Sequence, residues 1–133
     1  KQRGLVVQCV ASFHRCGGNV GDNCNIPLPA FALSAEHVWY RDSAGRDNHE
    51  YISLFADHVP IAGRTPLQMY SDWLEAFARE FSEDLGGALV EVMVGMGPSG
   101  ELRYPSYPSG HWRYCGIGEF QAHDPHALAS LAN

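Results

Sequence analysis

One carboxylate stands out by its neighbours: Glu101 lies in the glycine- and proline-rich run Gly97-Pro-Ser-Gly-Glu-Leu-Arg-Tyr-Pro105, with Tyr107 two residues beyond it. Aromatic neighbours partly desolvate a carboxyl group, which raises its pKa and favours the protonated form near neutral pH. A general acid that protonates a glycosidic oxygen needs this property. The residues alone leave two interpretations open: Glu101 donates a proton in a cleft, or it forms a surface ion pair with Arg103.

The same segment contains the pattern G-x-G-x-x-G, from Gly95 to Gly100, which is typical of dinucleotide-binding sites. Such a site requires the glycines to open a helix whose N-terminus faces a pyrophosphate. Pro98 lacks one of the required N–H groups, and Pro105 and Pro108 oppose helix formation. We therefore reject nucleotide binding and interpret the glycines as a loop at the end of a strand.

Two further polar residues follow an earlier apolar run. His14 comes directly after residues 5–13, and Asp22 ends the glycine-rich segment Gly17-Gly-Asn-Val-Gly-Asp22. Binding sites of parallel α/β folds lie at the carboxyl ends of the strands, and both side chains hydrogen-bond well to sugar hydroxyls. The alternatives are a structural histidine and an aspartate that serves only the turn.

The three tryptophans have different surroundings. Trp112 lies just beyond the Glu101 segment, in a position from which it can stack on a sugar ring. Trp73 falls within a predicted helix and is expected to pack there. No role is assigned to Trp39.

The elements that must position these residues follow the order strand, long excursion, helix, strand. Residues 5–13 and 88–94 are nearly continuous apolar runs, which predict strands buried on both faces. Thr65, Pro66 and Gln68 form a capping-box pattern, and apolar residues recur every three or four positions as far as Leu85. The order predicts two parallel neighbouring strands joined by a right-handed crossover.

The remaining segments are predicted to be less regular. A short helical piece is expected from Ala30 to Leu33, and residues 34–64 are expected to be irregular, with one short ordered piece from Tyr51 to Phe55. Gly86 and Gly87 are expected to end the long helix. The tail 122–133 is a weak candidate for a helix.

Composition excludes several classes of function. The 133 residues carry a formal net charge of −6 with scattered basic residues, which argues against a nucleic-acid or anionic-membrane surface. No apolar run approaches the roughly 20 residues needed to cross a bilayer. Four cysteines, Cys9, Cys16, Cys24 and Cys115, match no zinc spacing, and we expect reduced structural thiols.

The longer motifs closely resemble the two signatures of the β-amylase family. Ser12-Phe-His-Arg-Cys-Gly-Gly-Asn-Val-Gly-Asp22, with Ile26-Pro-Leu-Pro29, resembles the signature around the flexible loop of that family, and the run 97–105 resembles the signature that holds its catalytic acid. Further similar stretches are Gly63-Arg-Thr65, Tyr70-Ser-Asp72 and Gly116-Ile-Gly-Glu-Phe-Gln121. The likeness covers nearly the whole chain, in the same order and spacing.

The resemblance implies an α/β fold, in which residues 1–133 form one incomplete domain of a (β/α)8 TIM barrel with long βα loops. It implies inverting hydrolysis of α-1,4-glucans such as starch and maltodextrin, with release of β-maltose from non-reducing ends and without a metal or other cofactor. Glu101 stands at the proton-donor position of the family. His14 and Asp22 match residues that hold the terminal glucose units, and Arg103, Tyr107 and Trp112 fall in the surrounding pocket.

One requirement of this chemistry has no match in the chain. Inverting hydrolysis needs a second carboxylate, about 6.5–9.5 Å from the acid, to activate water. In the family this base is a glutamate from a later strand, and Glu119 does not match it and is interpreted as structural. We therefore expect the chain to be part of a longer protein and inactive by itself.

The sequence is compatible with a second function and with more than one compartment. The alternative function is a β-amylase-like protein that binds glucan or senses a sugar without hydrolysing it. The compartment would be the plastid or cytoplasm for a plant or algal protein, whereas bacterial relatives are secreted.

Overall fold

The computed structural model describes residues 4–17, 23–95 and 120–133. A 3-10 turn, Leu54–Ala56, lies within the segment 34–64 that was expected to be irregular. The helices and strands, in chain order, are β1 Val7–Ser12, α1 Ala30–Leu33, β2 Trp39–Arg41, β3 Asp47–Ile52, α2 Pro66–Glu80, β4 Leu89–Gly95 and α3 Pro125–Leu131.

Strands β1 and β4 are parallel neighbours, which confirms the predicted order of strand, crossover and strand. Their register runs from Val7 opposite Leu89 to Ser12 opposite Gly95, with an irregularity after Val7. The two strands therefore end side by side. Adjacent strands in a sheet lie roughly 4.8 Å apart, so the segments that follow β1 and β4 leave the same edge as close neighbours.

The prediction that both strands are buried on both faces is wrong for the described chain. Val7, Val10, Val90 and Met93 are each between 48% and 61% exposed. In the described ranges β1 pairs with β4 alone, and the two form a two-stranded sheet. An apolar strand is buried only where other elements cover it, so a sequence pattern typical of burial cannot by itself produce it.

The predicted capping box of α2 is confirmed. The Thr65 side-chain oxygen accepts a hydrogen bond from the Gln68 backbone N–H at 3.2 Å, and the Gln68 side chain accepts one from the Thr65 N–H at 2.9 Å. Pro66 occupies the first turn, where its missing N–H is not needed.

The helix α2 ends several residues earlier than the predicted stop at Gly86 and Gly87. The helix ends at Glu80, and Phe81 caps it by donating its N–H to the Phe77 carbonyl. A further turn follows, in which the Leu85 N–H also bonds to the Phe81 carbonyl. Gly86, with a φ of +76°, then redirects the chain into β4. The glycine pair ends this turn rather than the helix.

The prediction that residues 34–64 are irregular is also wrong. They contain the antiparallel pair β2–β3, with Trp39 opposite Ile52 and Arg41 opposite Asp47. They also contain most of the buried apolar core, which comprises Ala32, Val38, Trp39, Ile52, Ala56 and Ile61. Trp39 thus has a structural role: it is 2% exposed, and its indole N–H donates to the Ala35 carbonyl at 3.0 Å.

The expected helical tail is confirmed as α3, and it is fastened to the same core. Asp124 is fully buried and caps α3 by accepting from the His126 and Ala127 N–H groups. Its second carboxylate oxygen accepts from the Ser53 hydroxyl at 3.0 Å. Just before α3, Gln121 and His123 bond to the backbone of Arg41, at 3.0 and 2.9 Å.

Candidate functional site

His14 is the one predicted site residue within the described ranges. It is half-buried and follows β1 at the edge where β1 and β4 end. Its Nδ1 lies 2.6 Å from the Arg15 carbonyl oxygen. Because a carbonyl only accepts, Nδ1 carries the hydrogen, and Nε2 of the neutral ring is left as an acceptor. Such a nitrogen can take a hydrogen bond from a sugar hydroxyl.

The residues on either side hold His14 in place. The Phe13 ring packs against α2, with centroids 4.5 Å from Tyr70 and 5.4 Å from Trp73. On the other side, the Arg15 N–H donates to the Glu50 carbonyl of β3 at 2.8 Å. The backbone at His14 is therefore fixed between the helix and the second sheet. This positioning fits a binding role, and it equally fits the alternative of a structural histidine.

The two segments that flank residues 18–22 pair with each other and form a hydrogen-bonded stem. Cys16 and Ile26 exchange two backbone hydrogen bonds, of 3.0 and 2.8 Å. Gly17 has a φ of +114°, and a Cβ at that position would lie 2.1 Å from the Cys24 carbonyl oxygen. Only glycine allows this approach. The stem joins the two ends of residues 18–22, the segment that carries Asp22.

The other predicted site residues lie outside the described ranges: Asp22, Glu101, Arg103, Tyr107 and Trp112. The structure does fix the two ends of the segment that contains Glu101. It starts after Gly95, beside the end of β1, and it returns at Phe120, next to residues that pair with β2. One anchor thus adjoins β1, which His14 follows, and the other adjoins β2, which pairs with β3.

Two of the similar stretches have structural explanations that the sequence did not supply. Arg64 and Asp72 form an ion pair of 2.6 Å that connects the loop before α2 to the second turn of the helix. Tyr70 is partly buried beneath Phe13, and burial, with the nearby Tyr51 hydroxyl, raises its pKa above the ordinary range, so it stays neutral. Both contacts connect α2 to neighbouring segments of the chain.

Charged groups stabilise the turn between β2 and β3. The Asp42 carboxylate accepts from the N–H groups of Ala44 and Arg46, both at 2.9 Å, and from the Arg46 side chain at 2.7 Å. Burial alone would raise the pKa of Asp42, but these hydrogen bonds outweigh it and hold the pKa below its ordinary value. Asp42 is therefore an ionised turn residue.

Other features of the described ranges do not extend the site. A cleft of about 300 Å³ lies where β1 and β4 begin, at the edge opposite His14; it is lined by Val7, Cys9, Phe81, Asp84, Ala88 and Leu89. Within these ranges, no group of three or more His, Cys, Asp or Glu side chains is arranged to hold a metal ion. No helix among them has the length and apolar character required to cross a membrane.

Comparison with known proteins identifies the family. Residues 1–133 match the family model described as glycosyl hydrolase family 14. The chain is 53% identical to "Beta-amylase 2, chloroplastic" of Oryza sativa subsp. japonica and 53% identical to "Beta-amylase 1, chloroplastic" of Arabidopsis thaliana, each time over 98% of this chain. It is 44% identical to "Beta-amylase" of Glycine max over 96% of this chain.

These relatives are much longer than the chain. The alignments cover 25%, 24% and 27% of their respective lengths, so the chain spans about a quarter of the proteins it matches. The family match extends over every residue of the chain and includes the segments around His14 and Glu101. The chain therefore belongs to glycosyl hydrolase family 14.

Proposed function

We propose that the protein containing this chain is a β-amylase, which hydrolyses the α-1,4-glucosidic bonds of starch and related glucans. The family and the names of the similar proteins support hydrolysis of a glucan. The observation that carries the proposal is the pairing of Ser12 with Gly95. Because of this pairing, the segments that carry the predicted binding and catalytic residues leave one sheet edge as neighbours.

The proposed roles follow from the chemistry of each group. Glu101 donates a proton to the glycosidic oxygen as the leaving group departs. His14 accepts a hydrogen bond from a hydroxyl of the terminal glucose units through Nε2, since its Nδ1–H is occupied by the Arg15 carbonyl. Asp22, Arg103, Tyr107 and Trp112 form the rest of the proposed glucan-binding set.

Hydrolysis with inversion completes the proposal. A second carboxylate activates a water on the opposite face of the sugar, and the product leaves the non-reducing end as β-maltose. Within residues 1–133, no position corresponds to the catalytic base of the family. We therefore propose that the rest of the protein provides this base, and that the 133-residue chain alone does not hydrolyse starch.

We also propose that residues 1–133 are part of a (β/α)8 barrel. The parallel pair β1–β4 and the intervening helix α2 support this architecture, since such a barrel is built from strand–helix units whose successive strands are parallel neighbours. The half-exposed apolar side chains of both strands are consistent with burial against neighbouring repeats. Location in the plastid is proposed from the chloroplastic names of two relatives.

The decisive experiment measures the products that the full-length protein forms from soluble starch. We expect maltose from the earliest time points, in the β-anomeric form by proton NMR, before mutarotation equalises the anomers. The purified 133-residue chain serves as the parallel sample and should release none. Starch binding by the full-length protein without maltose release would overturn the proposal in favour of a sugar-binding protein.

A further inference from the structure

Two thiols face each other at the stem that follows His14. The Cys16 and Cys24 sulfurs are 2.9 Å apart, and the two are not joined in a disulfide. Cys24 is exposed to solvent, whereas Cys16 is half-buried. The expectation of reduced structural thiols stays a prediction, and no sequence pattern indicates that these two sulfurs meet.

The backbone explains the contact. Cys16 is hydrogen-bonded in both directions to Ile26, and Cys24 lies two residues before Ile26. Because Cys24 is only two residues from the paired Ile26, its side chain lies within reach of Cys16. The close approach of Gly17 to the Cys24 carbonyl brings the two segments together. The juxtaposition therefore depends on main-chain pairing as well as on the side chains.

We propose that Cys16 and Cys24 form a redox modification site, which a low-molecular-weight disulfide such as glutathione disulfide converts to an internal disulfide. A disulfide bond of about 2.05 Å requires the sulfurs to approach by only about 0.9 Å from their present distance. The new bond would close a ring around residues 17–23. This inference concerns the thiols alone and does not depend on the proposed glucan chemistry.

The reaction balances as two successive exchanges. The exposed Cys24 thiolate attacks glutathione disulfide, forms a mixed disulfide and releases one glutathione. The Cys16 thiolate then attacks the Cys24 sulfur, forms the internal bond and releases the second glutathione. Two electrons pass from the protein thiols to the glutathione disulfide, and the two thiol protons end on the two released glutathiones.

The sequence provides an unambiguous readout. Trypsin cleaves after Arg15 and Arg41, so the peptide 16–41 contains Cys16 and Cys24, whereas Cys9 and Cys115 fall in other peptides. The proposed bond is therefore an intrapeptide disulfide. It lowers the mass of peptide 16–41 by two hydrogen atoms and prevents its alkylation.

The test treats the full-length protein with glutathione disulfide, natively folded and in urea, and maps the peptides over time. We expect the intrapeptide bond to form at least about tenfold faster in the folded protein, because folding holds the two sulfurs together. A reductant should restore both thiols. Equal rates in the two samples, or a native protein that keeps both thiols, would overturn the proposal.

Matched variants separate this pair from the other cysteines. Cys9→Ser leaves the pair intact and should oxidise like the wild type, since Cys9 lies on β1 opposite Val92. Cys16→Ser should accumulate a mixed glutathione disulfide at Cys24, because the resolving thiol is absent. A disulfide joining peptide 16–41 to another peptide in the wild type would identify a different pair and contradict the inference.

Discussion

Ser12, the last residue of β1, lies directly opposite Gly95, the last residue of β4. The pairing is parallel, so both strands deliver the chain to the same edge. His14 follows one of them, and the segment with Glu101 follows the other. His14 and Glu101 are 87 positions apart in the sequence, yet the segments that carry them begin at the same edge of the sheet.

Replacing the proposed acid should strongly reduce turnover while leaving the contacts to the sugar intact. In the full-length protein, Glu101→Gln should reduce the rate of maltose release by about 10²–10⁴-fold, the usual contribution of a general acid. Starch binding, measured by affinity electrophoresis, should persist. Glu119→Gln is the matched control and should stay within about twofold of the wild type; equal losses in both variants would remove Glu101 from its proposed role.

Removing the acceptor nitrogen of His14 should weaken glucan binding. His14→Phe keeps a planar ring but cannot accept a hydrogen bond, so kcat/KM for maltooligosaccharides should fall roughly tenfold, the equivalent of one hydrogen bond of about 1.4 kcal/mol. His58→Phe is the control, since the His58 side chain is 68% exposed on a different turn. An unchanged kcat/KM in His14→Phe would show that the ring only serves the backbone of Arg15.

The capping box should contribute measurably to stability. Thr65→Ala removes the acceptor for the Gln68 N–H, and the free energy of unfolding should fall by about 1 kcal/mol. Thr65→Ser keeps the hydroxyl and should retain most of that stability. Urea denaturation of the full-length protein, followed by circular dichroism, measures both variants; identical losses would indicate that the methyl group, not the cap, matters.

Substitutions of Ser53 and Asp124, which are in buried contact, should have coupled effects on the free energy of unfolding. Asp124→Ala removes the cap of α3 and leaves the Ser53 hydroxyl without its partner oxygen, so it should cost about 2–4 kcal/mol. Ser53→Ala should cost less. In a double-mutant cycle, the coupling free energy should be about 1 kcal/mol or more. Strict additivity would contradict the contact.

Asp42 should make the free energy of unfolding depend on pH, with a loss of stability on acidification. Its pKa is lowered from the ordinary value of 3.8, so the stabilisation is complete above that value and is lost as pH falls through the lower, folded-state pKa. The difference in unfolding free energy between the wild type and Asp42→Asn should therefore be constant near neutrality and should shrink below about pH 4. Urea denaturation at several pH values measures it. A difference that grows on acidification would have the wrong sign.

The parts of the fold that were predictable depend on local interactions or strong periodicity. The Thr65–Gln68 box specifies the start of α2, because both of its hydrogen bonds lie within four residues. The apolar runs located β1 and β4. Strand β3 was missed because Asp47, Asn48, His49 and Glu50 have low strand propensity and are held by pairing with β2 and by contacts such as Arg15 to Glu50.

The candidate site was predictable in part for the same reason. The position of His14 after a strand follows from the apolar run, but its tautomer depends on the Arg15 carbonyl, which no sequence pattern indicates. The meeting of Cys16 and Cys24 depends on a backbone pairing across residues 18–22. The roles of Glu101, Asp22, Arg103, Tyr107 and Trp112 remain predictions.

The location of the core has a consequence for how the chain opens. Among the residues that the structure describes, most of the buried apolar ones lie in the crossover between β1 and β4, around Val38, Trp39 and Ile52, whereas the strands themselves are half-exposed. In a typical parallel α/β domain, the central strands are the last region to exchange their amide hydrogens. In the isolated 133-residue chain, where no further repeat covers the strands, the crossover should therefore form a cooperative unit of its own, whose amides stay protected after those of β1 and β4 have exchanged. The crossover would then be the most stable part of the chain, and the strand pair would depend on it for its own stability.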